Sequence, residues 1–205
     1  MPRTPEQYEE IRSEKKRRIM DAALELFATE GYHATSISKI AETANISKGL
    51  LYNYFESKEE LLKTITEAFS EEVTDMMDPD HDDNITLKEA TQFIDLYFNM
   101  ITSKPDRIKK YYQLTMQPFV SELITQIASN HKAAKTHQNF MDFLHKNNNP
   151  YPVETYLTII SVMKGFGIQY VFAPQMYSKT LIESFKNYLK EIIIQYQSGK
   201  NNLKL

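Results

Sequence analysis

Apolar residues recur at three- and four-residue spacing in nearly every segment of this chain, and no alternating run is long enough to build a sheet. That periodicity confines the chain to an all-α fold, because a stripe of this pitch faces one side only when the backbone is helical. The 5 glycines are few, and the 8 prolines fall where helices must start or stop. With 41% hydrophobic residues over 205 positions there is enough apolar surface for one small and one larger helical domain.

The breaks predict about nine helices. The first runs from about Glu10 to Thr29, with Ile19, Ala22, Ala23, Leu26 and Phe27 as its apolar stripe and Gly31 as its C-terminal cap. Thr35 or Ser36 caps a second, with Ile37, Ile40, Ala41 and Ala44 on one face, and after Asn45 the hydroxyl of Ser47 opens a third that reaches Phe55. Two short amphipathic helices joined so tightly form a helix-turn-helix, in which the second helix is held proud to enter a DNA major groove. Ile37, Ile40, Ala44, Ile46, Leu51 and Phe55 are expected in the core of so small a domain.

Ser57 and Glu60 make a capping box for a fourth helix to about Met77, and Thr86 with Glu89 another for a helix to about Thr102. Pro105 starts a short helix to about Met116, Pro118 opens one long segment ending near Lys146, and two further helices span about Val153 to Phe172 and Ser178 to Gln197, with a frayed tail from Gly199.

The net charge of -3 argues mildly against nucleic acid as a partner, but its distribution matters more than its sum. Between Arg12 and Arg18 the sequence RSEKKRR sets five basic residues against one acid, a suitable phosphate contact beside a helix-turn-helix. The absence of cysteine rules out disulfides and thiolate chemistry and fits a reducing cytoplasm. The N-terminus MPRTPEQYEE lacks the apolar core of a leader, and the longest apolar stretches are too short to span a membrane.

The run from Ile19 to Leu62, AALELFATEGYHATSISKIAETANISKGLLYNYFESKEELL at its heart, closely resembles the DNA-binding domain of the tetracycline-repressor (TetR) family of bacterial transcription regulators. The resemblance implies a helix-turn-helix DNA-binding domain over 12–72 and an effector-binding and dimerisation domain over 73–205. It implies a homodimeric repressor of a palindromic operator on double-stranded DNA, released by a small molecule. Carried over by position, it puts Thr35, Ser36 and Lys39 against phosphate at helix two, and Ser47, Lys48 and Gly49 at the opening of the recognition helix. Lys48 can donate to guanine or phosphate, and Gly49 permits close backbone approach. Leu50 and Asn53 fall where the family varies, suited to a thymine methyl and to adenine, while Tyr52 and Tyr54 match phosphate-contacting aromatic positions and Lys58 the DNA-binding cation at the start of helix four.

The C-terminal part is rich in aromatic residues and methionine. Tyr97, Phe98, Met100, Tyr111, Tyr112, Met116, Phe119, Phe140, Phe143, Tyr156, Phe166 and Tyr170 together suit a pocket for an apolar or aromatic effector, though singly most read as core. Along the last helix Leu181, Phe185, Tyr188, Leu189, Ile192 and Tyr196 form a stripe, and Val153, Leu157, Ile160, Met163, Gly167 and Val171 another on the helix before. Two long helices so placed resemble the pair that builds a four-helix dimer interface in this family. Effector binding would shift helix four and respace the two recognition helices.

Other patterns point elsewhere and fall short. Asp78, Asp80, Asp82, Asn84 and Glu89 follow the spacing of a calcium loop, but Asp83 stands where the turn needs glycine, Pro79 stiffens the start, and Thr86 and Glu89 serve the capping box, so the stretch reads as an exposed acidic loop. Gly165 and Gly167 lack the strand and third glycine of a dinucleotide site and read instead as close packing. His33, His81, His131, His137 and His145 make no metal motif and read as surface histidines, and no catalytic arrangement can be assembled, so neither metal, cofactor nor enzymatic activity is expected. The competing function is a ligand-binding or protein-interaction module in which DNA binding is secondary.

Overall fold

The structure, a computed structural model, describes residues 4–128 and 131–195, and side chains outside 126–132 within them. These residues form ten α-helices and no strand: α1 Pro5–Glu30, α2 Ile37–Thr43, α3 Lys48–Tyr52, α4 Lys58–Met77, α5 Leu87–Ser103, α6 Pro105–Thr115, α7 Pro118–Ala128, α8 His131–Lys146, α9 Pro152–Phe172 and α10 Lys179–Ile194, with a 3-10 turn at Pro174–Met176. The all-α expectation holds. The single long segment expected after Pro118 is two helices, α7 and α8, which accounts for ten rather than about nine. Tyr196, Gln197 and the tail from Gly199 lie outside the described residues.

Helix α1 begins five residues earlier than its apolar stripe suggests. Thr4 accepts the N–H of Gln7 and the Gln7 side chain accepts the N–H of Thr4, with Pro5 at the first turn. This capping box starts the helix through local polar chemistry, before any apolar residue has a core to face. At the other end Gly31 takes φ 91, the left-handed region expected of a C-terminal glycine.

Two compact units result, one of residues up to 68 with 110–127, the other of 69–109 with 128 onward. In the first, Ile19, Ala23, Phe27, Ile40, Leu51, Phe55, Leu61 and Leu62 are buried, and Leu114 and Val120 join them. Helix α3 has five residues, too few to be stable alone, so the burial of Leu51 and Phe55 holds it rather than intrinsic propensity.

In the second unit α5 is central, packing against α9 and α10, while α8 packs on α9. Phe93, Ile94, Tyr97, Phe98 and Ile101 bury two adjacent faces of α5, as a helix with neighbours on two sides must. Phe98 stacks on Phe166 of α9 at 4.4 Å between centroids, and Phe140 of α8 meets Phe93, Phe143 and Tyr156. Lys186 and Lys190 of α10 reach Asp95 of α5 at 3.0 and 2.6 Å. Burial pushes the Asp95 carboxyl upward, but hydrogen bonds from the two ammonium groups outweigh it and hold it below the ordinary carboxylate range.

His137, half-buried, accepts at Nδ1 the hydroxyl of Tyr156 in its neutral form. Burial, with the Lys164 charge adding to it, lowers its pKa from the ordinary value near 6.5. The unfolded chain therefore takes up a proton first: the stabilisation is fully present above about pH 6.5 and falls as the pH drops toward the folded value. Urea denaturation between about pH 7.5 and 5.5 should show this loss, and His137→Gln, which does not titrate, should flatten it.

Candidate nucleic-acid interface

Ser36 is the N-cap of α2 and accepts the N–H of Lys39 at 3.2 Å; Ser47 is that of α3 and accepts the N–H of Leu50 at 3.1 Å. Between them Asn45 takes φ 55, a left-handed position that asparagine tolerates, and the turn is closed by the N–H of Ile46 donating to Ala41. The recognition helix is shorter than expected: Tyr52 is its last residue, and Asn53 is its C-cap.

Along α3 the exposed positions are Lys48, Gly49, Tyr52 and Asn53, with Tyr52 47% exposed. A Cβ on Gly49 would meet nothing within 4 Å, so no packing inside the chain calls for a glycine there. Leu50 is half-buried and lines a groove of about 200 Å³ with Lys15, Arg18, Ala44, Asn45 and Ile46. The basic run of α1 meets the two aromatic residues that follow α3: the Arg12 guanidinium lies 5.6 Å from the Tyr54 ring centre and the Lys16 ammonium 5.7 Å from that of Phe55.

Two of the expected DNA contacts face inward. Thr35 is 1% exposed, and its hydroxyl donates to the carbonyls of Gly31 at 2.9 Å and Leu26 at 3.3 Å, so it braces the turn after α1 and has no free side to offer a phosphate. Lys58 donates to the carbonyls of Tyr32 at 2.7 Å, Thr35 at 2.9 Å and His33 at 3.4 Å, and lies 4.4 Å from the Tyr32 ring centre. Burial lowers its pKa, yet its charge is spent on backbone carbonyls. Lys39 pairs with Glu30 at 2.7 Å in the open, an ion pair worth about 0–1 kcal/mol that a phosphate can displace.

Gln117, which sequence reasoning passed over, clamps the same turn: its amide donates to Phe27 at 2.7 Å and its carbonyl accepts the N–H of Tyr32 at 2.9 Å. An isolated glutamine between helices gives no sequence signal.

The expected effector set is not one group. Tyr111, Met116 and Phe119 belong to the first unit, where Met116 is exposed and Phe119 stacks on Tyr32 at 5.0 Å. In the second, Tyr97, Met100, Phe140, Phe143, Tyr156 and Phe166 are buried, and Tyr170 stacks on Phe166. Burial raises the pKa of the Tyr111 and Tyr156 hydroxyls, with Tyr112 adding to the effect at Tyr111. A cavity of about 290 Å³ in this unit is lined instead by Thr74, Asp78, His81, Asp83, Lys135 and Thr136.

The expected pairing stripes also divide. Val153, Leu157, Leu181 and Tyr188 are exposed, Ile160, Phe185 and Ile192 half-buried, and Gly167 and Leu189 buried in the unit's own core. Helix α9 is apolar on two faces, so three- and four-residue spacing merged them. A Cβ on Gly165 would meet nothing within 4 Å, so close packing inside the chain is not its reason. His33, His81 and His145 are exposed as expected, whereas His137 is not, and the His131 side chain lies outside those described.

The family model of bacterial regulatory proteins, tetR family, matches residues 19–65. The negative transcriptional regulator of the biofilm operon icaADBC from Staphylococcus epidermidis is 34% identical over 104 residues, which cover 50% of this chain and 55% of that protein. The fatty acid metabolism regulator protein of Bacillus subtilis is 26% identical over 155 residues, 76% of this chain and 69% of its own. Among solved structures, the Bacillus subtilis regulator FadR in complex with stearoyl-CoA superposes with a TM-score of 0.65 at 18% identity, covering 88% of this chain and 98% of that one. A tetR-family regulator from a Shewanella species gives 0.64 at 21%, covering 86% and 95%. Residues 19–65 thus carry the segment by which the tetR family of bacterial regulatory proteins is recognised. It spans about half the length of the first of these relatives.

The two roles open to Lys58 give opposite results on substitution. As a brace, its replacement in Lys58→Met strands part-buried carbonyls and should cost about 1 kcal/mol of stability in urea denaturation. A pure phosphate ligand would leave stability unchanged.

Proposed function

We propose that this chain is a homodimeric transcriptional regulator that binds a palindromic operator through α3 and is released by a small apolar or aromatic effector. The observation that carries the reading is the outer edge of α3, where Lys48, Gly49, Tyr52 and Asn53 are all exposed and Gly49 has open space around it. A side chain at Gly49 would cost the fold nothing in space, whereas a groove wall pressed against the backbone would exclude it. The basic residues Lys15 and Arg18 beside Leu50 supply positive charge along the same groove.

Dimerisation is supported by the exposed apolar side chains of α9 and α10, since Leu157 at 55% and Tyr188 at 58% exposure are costly to leave in water. Two copies would present two recognition helices to the halves of a palindrome. The effector reading rests on the aromatic content of the second unit, and FadR with its bound stearoyl-CoA gives a precedent for a greasy ligand on this fold. Among the described residues no helix is long and apolar enough to cross a membrane. A cytoplasmic place, beside its DNA, follows from the proposed function.

Gel shifts on the DNA upstream of the chain's own gene test the reading. Lys48→Ala and Tyr52→Phe should each weaken binding about tenfold without changing the melting temperature, and binding should fall steeply with salt. Wild-type affinity in both variants would count against α3 as the reading helix and favour the module in which DNA binding is secondary. Light scattering at micromolar concentration should give a dimer mass, and Leu157→Asp combined with Tyr188→Asp a monomer.

A further inference from the structure

Helices α4 and α5 are joined by the acidic stretch that starts at Asp78. Asp78, Asp80 and Asp82 each bring one carboxylate oxygen to within 4.8 Å of the others. A cluster of exposed acids signifies nothing by itself, because water and counterions screen it. Asp78 is different. It is 5% exposed, and its Oδ2 accepts the N–H of Asp83 at 3.2 Å. Its Oδ1 is, among the described residues, the one buried side-chain polar atom with no hydrogen-bond partner. Buried polar atoms are matched almost without exception, and a carboxylate oxygen most of all.

Asp78 also lines one side of the cavity of about 290 Å³, while Asp80 and Asp82 stand outside its lining. Nearby, the Lys135 ammonium is directed to Asp83 at 2.6 Å and the His81 ring to Asp75 at 4.0 Å.

The geometry points to a binding site for one hard divalent cation of calcium's size, held by the carboxylates of Asp78, Asp80 and Asp82. These are the first, third and fifth places of the calcium-loop spacing, and by the same spacing Asn84 would add its backbone carbonyl. The missing glycine at the sixth place is answered by conformation: Asp83 adopts φ 63, the left-handed turn that glycine supplies elsewhere, with its N–H donating to the first-place carboxylate. Bonds from Lys135 and, at 3.3 Å, from Asn139 hold Asp83 in that strained position. The twelfth place is spent, because Oε2 of Glu89 accepts both the N–H and the hydroxyl of Thr86 at 2.8 and 2.7 Å. Without that bidentate ligand the site belongs at the weak end of the range, with Kd on the order of 0.1–1 mM. All-oxygen ligands favour calcium over transition metals, and an open, irregular set favours it over magnesium.

Equilibrium dialysis of the full chain against radiolabelled calcium should give one ion per chain, and calcium should raise the melting temperature more than magnesium at the same concentration. Asp80→Asn and Asp82→Asn change exposed side chains, so both should keep the wild-type circular dichroism while weakening calcium binding at least about tenfold. Two results overturn the site. One is no saturable binding up to about 10 mM, which would leave Asp78 as a buried acid carrying a proton. The other is calcium binding that survives both substitutions in chains of native helicity.

Discussion

The Lys58 ammonium, held by the carbonyls of Tyr32, His33 and Thr35, is the contact on which the N-terminal unit depends. Those carbonyls belong to the turn between α1 and α2, where the backbone has no helical partners, and an unmatched carbonyl there would carry a desolvation cost. One side chain from the first turn of α4 satisfies them and lies over the Tyr32 ring as it does so. The turn is thereby tied to α4, and the short α3, which has almost no stability of its own, is set between two fixed elements. Gln117 and the hydroxyl of Thr35 secure the same turn from other sides.

This arrangement separates two kinds of polar residue that look alike in a sequence. Thr35 and Lys58 are polar because a tight turn exposes backbone groups that need partners; Lys48 and Asn53 are polar and reach only solvent. Resemblance to a DNA-binding family assigns all four to the nucleic acid. Burial and hydrogen bonds divide them, and the inward pair is left with the task of holding the outward pair in place.

In the second unit α5 organises the packing for a similar reason of geometry. Its two buried faces receive α9 and α10, and the charged contact of Asp95 with Lys186 and Lys190 fixes α10 at the edge of that core. The aromatic residues that suggest a pocket are in large part the stacked rings of this core, with Phe166 touching Phe98, Tyr170, Tyr177 and Phe185. Side-chain type alone does not distinguish a ring that meets a ligand from a ring that meets another ring, because both are driven by the same loss of apolar surface from water.

The helical class, the capping box at Thr86, the Ser57 cap of α4, the helix-turn-helix and the core stripe of α1 were all legible in the sequence, because each rests on interactions between residues close in the chain; the reciprocal half expected at Ser57 is absent, since the Glu60 carboxylate accepts the N–H of Glu56 instead. The earlier start of α1 was equally local, in Thr4 and Gln7, and was hidden only by attention to apolar spacing. What only the tertiary structure decided is which polar groups are already satisfied. Thr35, Lys58, Gln117 and Asp83 find their partners across 4 to 90 residues of chain, and Asp78 is left with an oxygen that has none. Periodicity records the direction in which a side chain leaves its helix; only the folded chain determines what it meets there.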